Sequence, residues 1–162
     1  FTVSFPAIQD PKRNEGPASP QTASHGREVI LVVEDEIQVR SIVNEILNLQ
    51  GYTILEATDG VDALSISDKY PGRIHMMLTD VIMPGMNGRE LYDKMKDRRP
   101  DMAVLFMSGY TEGIITRHGV LEAPLELIRK PFSFEDLSNR VRSTLDSVSS
   151  VGDREKDSRA AA

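Results

Sequence analysis

Five short apolar runs, separated by stretches whose apolar residues recur every three or four positions, constrain this chain more than any other feature. The runs fall near Val29 to Val33, Tyr52 to Ala57, Met76 to Thr79, Ala103 to Met107 and Leu125 to Ile128. Several are apolar throughout rather than at alternate positions, the pattern of strands buried on both faces. Between them the spacing becomes that of helices. Val39, Ile42, Val43, Ile46 and Leu47 share a helix face that stops before Gly51, a residue suited to the place just past a helix end. A second helix is expected over Val61 to Tyr70, halted by Pro71, and a third over Arg89 to Arg98, halted before Pro100. The fourth, Thr111 to His118, is weakened by Gly113 and Gly119, so the most irregular helix is expected there. In the last, Ser133 and Asp136 form a variant capping box, and Phe134, Leu137, Val141 and Leu145 make a buried stripe. Strand and helix alternating five times imply an α/β domain, doubly wound, with a parallel sheet between two layers of helices.

The flanks have a different composition. Residues 6 to 27 carry Pro6, Pro11, Pro17 and Pro20 among polar residues and glycines, and read as a flexible linker. Before it, Phe1 to Phe5 alternate apolar and polar like the closing strand of a preceding domain, and the start at Phe1 leads to the expectation of a fragment of a longer protein. The domain itself is placed at 28–147. Residues 148–162 have little apolar content and are expected to form a disordered tail. A chain of 162 residues accommodates one such domain, not two.

Composition narrows the function. A formal charge of −6 disfavours direct nucleic-acid binding, which needs positive surface, and points to a cation or a protein partner. The absence of cysteine excludes disulfides and thiolate metal sites, in keeping with a cytoplasmic domain. No apolar run approaches the roughly 20 residues of a membrane span, so no membrane contact by this piece is expected, whatever anchors its parent.

Functional side chains cluster at the ends of the expected strands. Glu34 and Asp35 follow the first, Asp80 the third, Ser108 the fourth and Lys130 the fifth. In a doubly wound sheet the carboxyl ends share one edge, so these residues converge. Three carboxylates brought together require a cation, and an all-oxygen ligand set suits Mg²⁺. Asp80 is then a candidate nucleophile, with Lys130 and the Ser108 hydroxyl placed to neutralise charge on a transferring phosphoryl group. The three histidines, His25, His75 and His118, lack metal-ligand spacing and are read as structural or surface residues.

The motifs Val-Val-Glu34-Asp35-Glu36, Thr-Asp80-Val-Ile-Met-Pro84-Gly-Met-Asn-Gly88, Met-Ser108-Gly109-Tyr110 and Arg-Lys130-Pro131-Phe132 resemble those of response-regulator receiver domains over about residues 28 to 147. The resemblance implies a flavodoxin-like (βα)5 fold with strand order 2-1-3-4-5. It further implies that Asp80 takes a phosphoryl group from phosphohistidine on a histidine kinase or a histidine phosphotransfer domain. Mg²⁺ would be held by Asp35, Asp80 and the backbone carbonyl of Ile82, with Glu34 acting through water. Ser108 and Lys130 would follow the phosphoryl group. Phe1 to Pro6 and the Ser108 to Tyr110 turn resemble parts of hybrid sensor histidine kinases, which implies such a parent.

One position departs from the family. The switch aromatic expected three residues before the lysine is Leu127, and Tyr110 is the nearest aromatic able to substitute. Ile82 and Tyr110 flank the path of a hydrolytic water, so a long-lived phosphoryl group is expected. An aspartate-based phosphatase would want an acid where Ile82 stands, and a nucleotide-binding domain a glycine-rich turn where Glu34 to Ile37 stand. The rival that survives is a receiver-like module working by protein contact without phosphate. Stimulus, output partner and oligomeric state are not encoded in any motif.

Overall fold

The structure, a computed structural model, describes residues 26–109 and 126–160, with side chains as far as Val148. The expected strand at Phe1 to Phe5, most of the linker, Tyr110 and the helix over Thr111 to His118 lie outside the described residues. Five strands, β1 (Val29–Val33), β2 (Thr53–Ala57), β3 (Met76–Asp80), β4 (Ala103–Ser108) and β5 (Leu127–Arg129), form one parallel sheet in the order β2-β1-β3-β4-β5. Four helices are described: α1 (Ile37–Leu49), α2 (Gly60–Lys69), α3 (Gly88–Met95) and α4 (Phe134–Ala160). The doubly wound α/β architecture and its strand order are those expected.

Strand residues alternate between two cores. Ile30 and Val32 point to one face, where Val43, Ile46 and Leu47 of α1 meet Leu137, Val141 and Leu145 of α4. Leu31 and Val33 point to the other, against Ala63 of α2 and Leu91 and Met95 of α3. Both faces of β1 are thus dry, which explains its unbroken apolar run. Full burial of each large aliphatic side chain is worth about 1.5–3 kcal/mol, so a charge at any of these positions would be costly.

Local signals fix the helix ends. Gly51 adopts φ 87°, the left-handed conformation that lets the chain leave α1. Asp59 caps α2 by accepting from the N–H groups of Val61 and Asp62. At the other end of α2, Arg99 donates to the carbonyls of Ser67, Tyr70 and Gly72. Asn87 and Glu90 form a capping box on α3, and Ser133 with Asp136 forms the expected variant on α4.

Some expectations need correction. Ile42 and Phe134 are exposed, because the arcs of α1 and α4 that meet the sheet run through Val43, Ile46 and Leu47 and through Leu137, Val141 and Leu145, with Val39 and Val148 partly buried beside them. α3 ends at Met95, and the chain then turns with the N–H groups of Arg98 and Arg99 on the Met95 carbonyl, which frees Arg99 to reach α2. β5 begins at Leu127, since its register follows β4, with Phe106 opposite Leu127 and Ser108 opposite Arg129. The backbone of 148–160 continues α4 as helix where a tail was expected, with no proline in the segment to stop it.

His75, just before β3, ties the sheet's entrance together. Its Nδ1 accepts from the Val29 N–H at 2.9 Å, and burial together with Arg73 holds its pKa below the usual 6.5. A depressed histidine favours the neutral ring in the folded state, so its contribution is complete above the unfolded pKa and disappears as pH falls through the folded one. Urea unfolding should therefore show a loss of about 1 kcal/mol between about pH 7.5 and pH 5.5, the net worth of one hydrogen bond. The same pH change applied to His75→Gln should produce a visibly smaller loss; equal slopes would remove His75 as the cause.

Candidate functional site: an acidic pocket closed by a lysine

Strand register assembles the site. Val33 stands opposite Thr79 and Asp80 opposite Met107, so Glu34, one residue past β1, comes beside Asp80 at the end of β3. Ser108 stands opposite Arg129, which puts Lys130 at the same edge, and the Lys130 N–H donates to the Ser108 carbonyl at 2.7 Å. The Lys130–Pro131 peptide bond is cis.

Glu34, Asp35 and Asp80 each offer a carboxylate oxygen, and these oxygens lie within 4.8 Å of one another. Their environments differ. Glu34 is buried, Asp80 is half-buried and Asp35 is exposed. Lys130 closes the pocket, its Nζ lying 2.6 Å from both Glu34 Oε2 and Asp80 Oδ2. The other oxygen of Asp80, Oδ1, accepts from the Ile82 N–H at 3.0 Å, which fixes the plane of the carboxylate. Burial pushes the Glu34 pKa up, an effect that hydrogen bonding and attraction from Lys130 only partly offset and that the Asp80 charge reinforces. Burial alone would lower the Lys130 pKa, but its bonds to Asp80 and Glu34 prevail and raise it. The ammonium therefore remains charged, and its share of stability persists until pH rises through that elevated value.

Close packing holds Asp80 from behind. A Cβ on Gly88 would stand 2.2 Å from the Asp80 carbonyl oxygen, so only glycine lets α3 start against the end of β3. The buried Thr79 hydroxyl donates to that same carbonyl at 3.1 Å. Gly85, with φ 80°, makes the turn between them. Three oxygen donors, one of them a fully buried carboxylate, fit a small hard dication such as Mg²⁺.

The expected site residues are placed as follows. Glu34, Asp35, Asp80 and Lys130 come together, and Ser108 is buried at the adjoining strand end. Ile82 lies in the loop after β3 with an exposed side chain, and Leu127 packs half-buried against Val81 and Phe106. Tyr110 lies outside the described residues. Arg40 and Thr79 were not singled out from sequence. A cation near the amino end of α1, where the helix dipole disfavours it, was the available signal for Arg40.

This fold and pocket define a flavodoxin-like domain with an acidic, lysine-closed crevice at its strand ends. Residues 30–142 match the family described as "Response regulator receiver domain". The chain belongs to that family, the one its motifs resemble. It is 32% identical over 154 residues to the sensor kinase CckA of Brucella abortus, covering 90% of this chain and 16% of that protein. It is 31% identical over 118 residues to sporulation initiation phosphotransferase F of Bacillus subtilis, covering 73% of this chain and 94% of that one. The crystal structure of a receiver domain from the hybrid histidine kinase CckA superposes with a TM-score of 0.61 at 37% identity, covering 72% of this chain and 98% of the other. The chain thus spans a small part of one curated relative and nearly all of another.

Removing Lys130 should expose the cost of crowding these acids. Lys130→Met leaves Glu34 and Asp80 without their shared counter-charge and should lower stability by about 2 kcal/mol in urea titrations with EDTA. The roughly 3–5 kcal/mol of a fully buried pair is too much here because Asp80 and Lys130 retain some contact with water. An unchanged midpoint would mean that the lysine compensates for nothing.

Proposed function

We propose that this chain is a phosphoacceptor receiver domain that takes a phosphoryl group from phosphohistidine onto Asp80. One observation carries the reading above all: Asp80 is held between an acid pair suited to a dication and a lysine bonded to its Oδ2. In the reaction an Asp80 oxygen attacks phosphorus, a P–O bond forms and the P–N bond breaks. The electron pair leaves on the imidazole nitrogen of the donor. Lys130 transfers its ammonium from the carboxylates to a phosphoryl oxygen, and Ser108, at the adjoining strand end, donates its hydroxyl to another. The Ile82 N–H keeps the carboxylate oriented throughout. Glu34, Asp35, Asp80 and the Ile82 carbonyl would hold Mg²⁺, which supplies charge neutralisation on the phosphoryl oxygens when bound.

The partner is a histidine kinase or histidine phosphotransfer domain, and the setting is cytoplasmic. Similarity to a sensor kinase across 90% of the chain supports a hybrid sensor histidine kinase as the parent. Among the described residues no helix is long and apolar enough to cross a membrane. Phosphorylation would bias the loops after β3 and β4 between two arrangements and so change the surface offered to partners, with Tyr110 in place of the missing aromatic at Leu127.

Incubation with Mg²⁺ and acetyl phosphate, followed by intact-mass measurement, should give a base-labile phosphate adduct on wild type and none on Asp80→Asn. No adduct on either, or the same adduct on both, would favour a contact-only module.

Ile82 follows Asp80 by two residues with its side chain exposed, and on this reading it hinders a water approaching the phosphoryl group. Ile82→Asn, which offers that water a hydrogen-bonding group, should speed spontaneous loss of phosphate by on the order of 10-fold. Equal half-lives by radiolabel decay would show that Ile82 does not shield the bond.

A further inference from the structure

We propose that Arg40 is a positioning residue for the metal-binding loop, acting through the backbone of Glu34 rather than through any carboxylate of the pocket. This rests on the reading of Glu34, Asp35 and Asp80 as a divalent-cation site. Arg40 lies near the amino end of α1, with a side chain only 12% exposed. Its Nη1 donates to the Glu34 carbonyl at 2.6 Å. Its Nε lies 3.8 Å from Glu56 Oε2, a loose contact with a largely exposed carboxylate on β2.

The placement is informative because it runs against simple electrostatics. A guanidinium bonded to the backbone that joins Glu34 to Asp35 would be expected to pair with an acid of the pocket, and a cation near a helix amino end is disfavoured. Arg40 instead spends its short hydrogen bond on a neutral carbonyl and leaves the pocket oxygens to other partners.

The bonded carbonyl belongs to the peptide that leads directly into Asp35. Glu34 is fixed by its own contacts: its N–H donates to the Ala57 carbonyl at 3.2 Å, Oε2 bonds Lys130, and Oε1 accepts from the Glu36 N–H at 3.3 Å. The Asp35 side chain has no hydrogen-bond or ion-pair partner among the described residues. Where its carboxylate sits therefore depends on the backbone between Glu34 and Glu36, and Arg40 clamps that backbone from the helix side. Groups that orient ligands in this way commonly change metal affinity by one to two orders of magnitude when removed.

Sign separates positioning from mere charge. If Arg40 acted only as a nearby positive charge, its removal would relieve repulsion and tighten binding of a dication. If it positions the loop, its removal loosens Asp35 and weakens binding. The test is titration of the full chain with Mn²⁺ alone, followed by electron paramagnetic resonance of the free ion, for wild type, Arg40→Met and Arg40→Gln. Both variants should bind on the order of 10-fold more weakly. Glu56→Gln, which loses only the loose contact, should bind within about two-fold of wild type.

Should Arg40→Met fail to fold, Arg40→Gln decides alone, with urea unfolding in EDTA reporting that it is native. Folded variants that bind Mn²⁺ as tightly as wild type, or more tightly, overturn the role of Arg40 and leave the metal site standing. A wild type that binds no Mn²⁺ overturns the site, and this inference with it.

Discussion

Everything at this site depends on parallel strands finishing along a common edge. In a parallel sheet the register that packs one side chain also sets where its strand ends, so the rows pairing Val33 with Thr79 and Ser108 with Arg129 fix the neighbours of Glu34 and Lys130 as well. The apolar runs stop as the chain leaves the two helical layers, and charge begins there. Core and chemistry are consequently not independent. A register slip of one residue would turn Leu31 and Val33 away from their core and carry Glu34 away from Asp80.

The second constraint is electrostatic. Glu34 is fully buried and carries an elevated pKa, so the fold holds a carboxylate where desolvation penalises its charge. Lys130 offsets that penalty while bonding Asp80, and each acid in turn raises the lysine's pKa. The pocket is balanced only as a set, and any ligand entering it must replace what the lysine supplies. A dication can do this for the carboxylates. A phosphoryl group can do it for the lysine.

Much of this was legible in the sequence, for identifiable reasons. Continuous apolar runs such as Val29 to Val33 mark strands buried on both sides, and this one appears as β1, an interior strand between β2 and β3. Strand-end acids and the lysine could be placed because the topology leaves them only one edge. What escaped depended on details that periodicity does not carry. The apolar residues Ile42 and Phe134 fit a helical stripe, yet lie outside the arcs that touch the sheet and are exposed. The β5 boundary is set by pairing with β4 rather than by its own composition. Arg40 was missed because its partner is a carbonyl, and every residue has one.

The division between the two cations follows from their chemistry. Lysine presents a compact charge on a flexible stem, able to move between carboxylate and phosphoryl oxygens a few ångströms apart without rebuilding a geometry. Arginine presents a rigid planar fork that suits a fixed task, and here it holds a carbonyl from a side chain almost closed to water. Exchanging the two would work against both roles. An arginine between Glu34 and Asp80 could fork across their oxygens and resist displacement, whereas a lysine at position 40 would hold the loop through a single, less directional ammonium. On the reading of this pocket as a phosphoacceptor site, one cation contact has to be released and another kept, and the residue types at 130 and 40 suit that division.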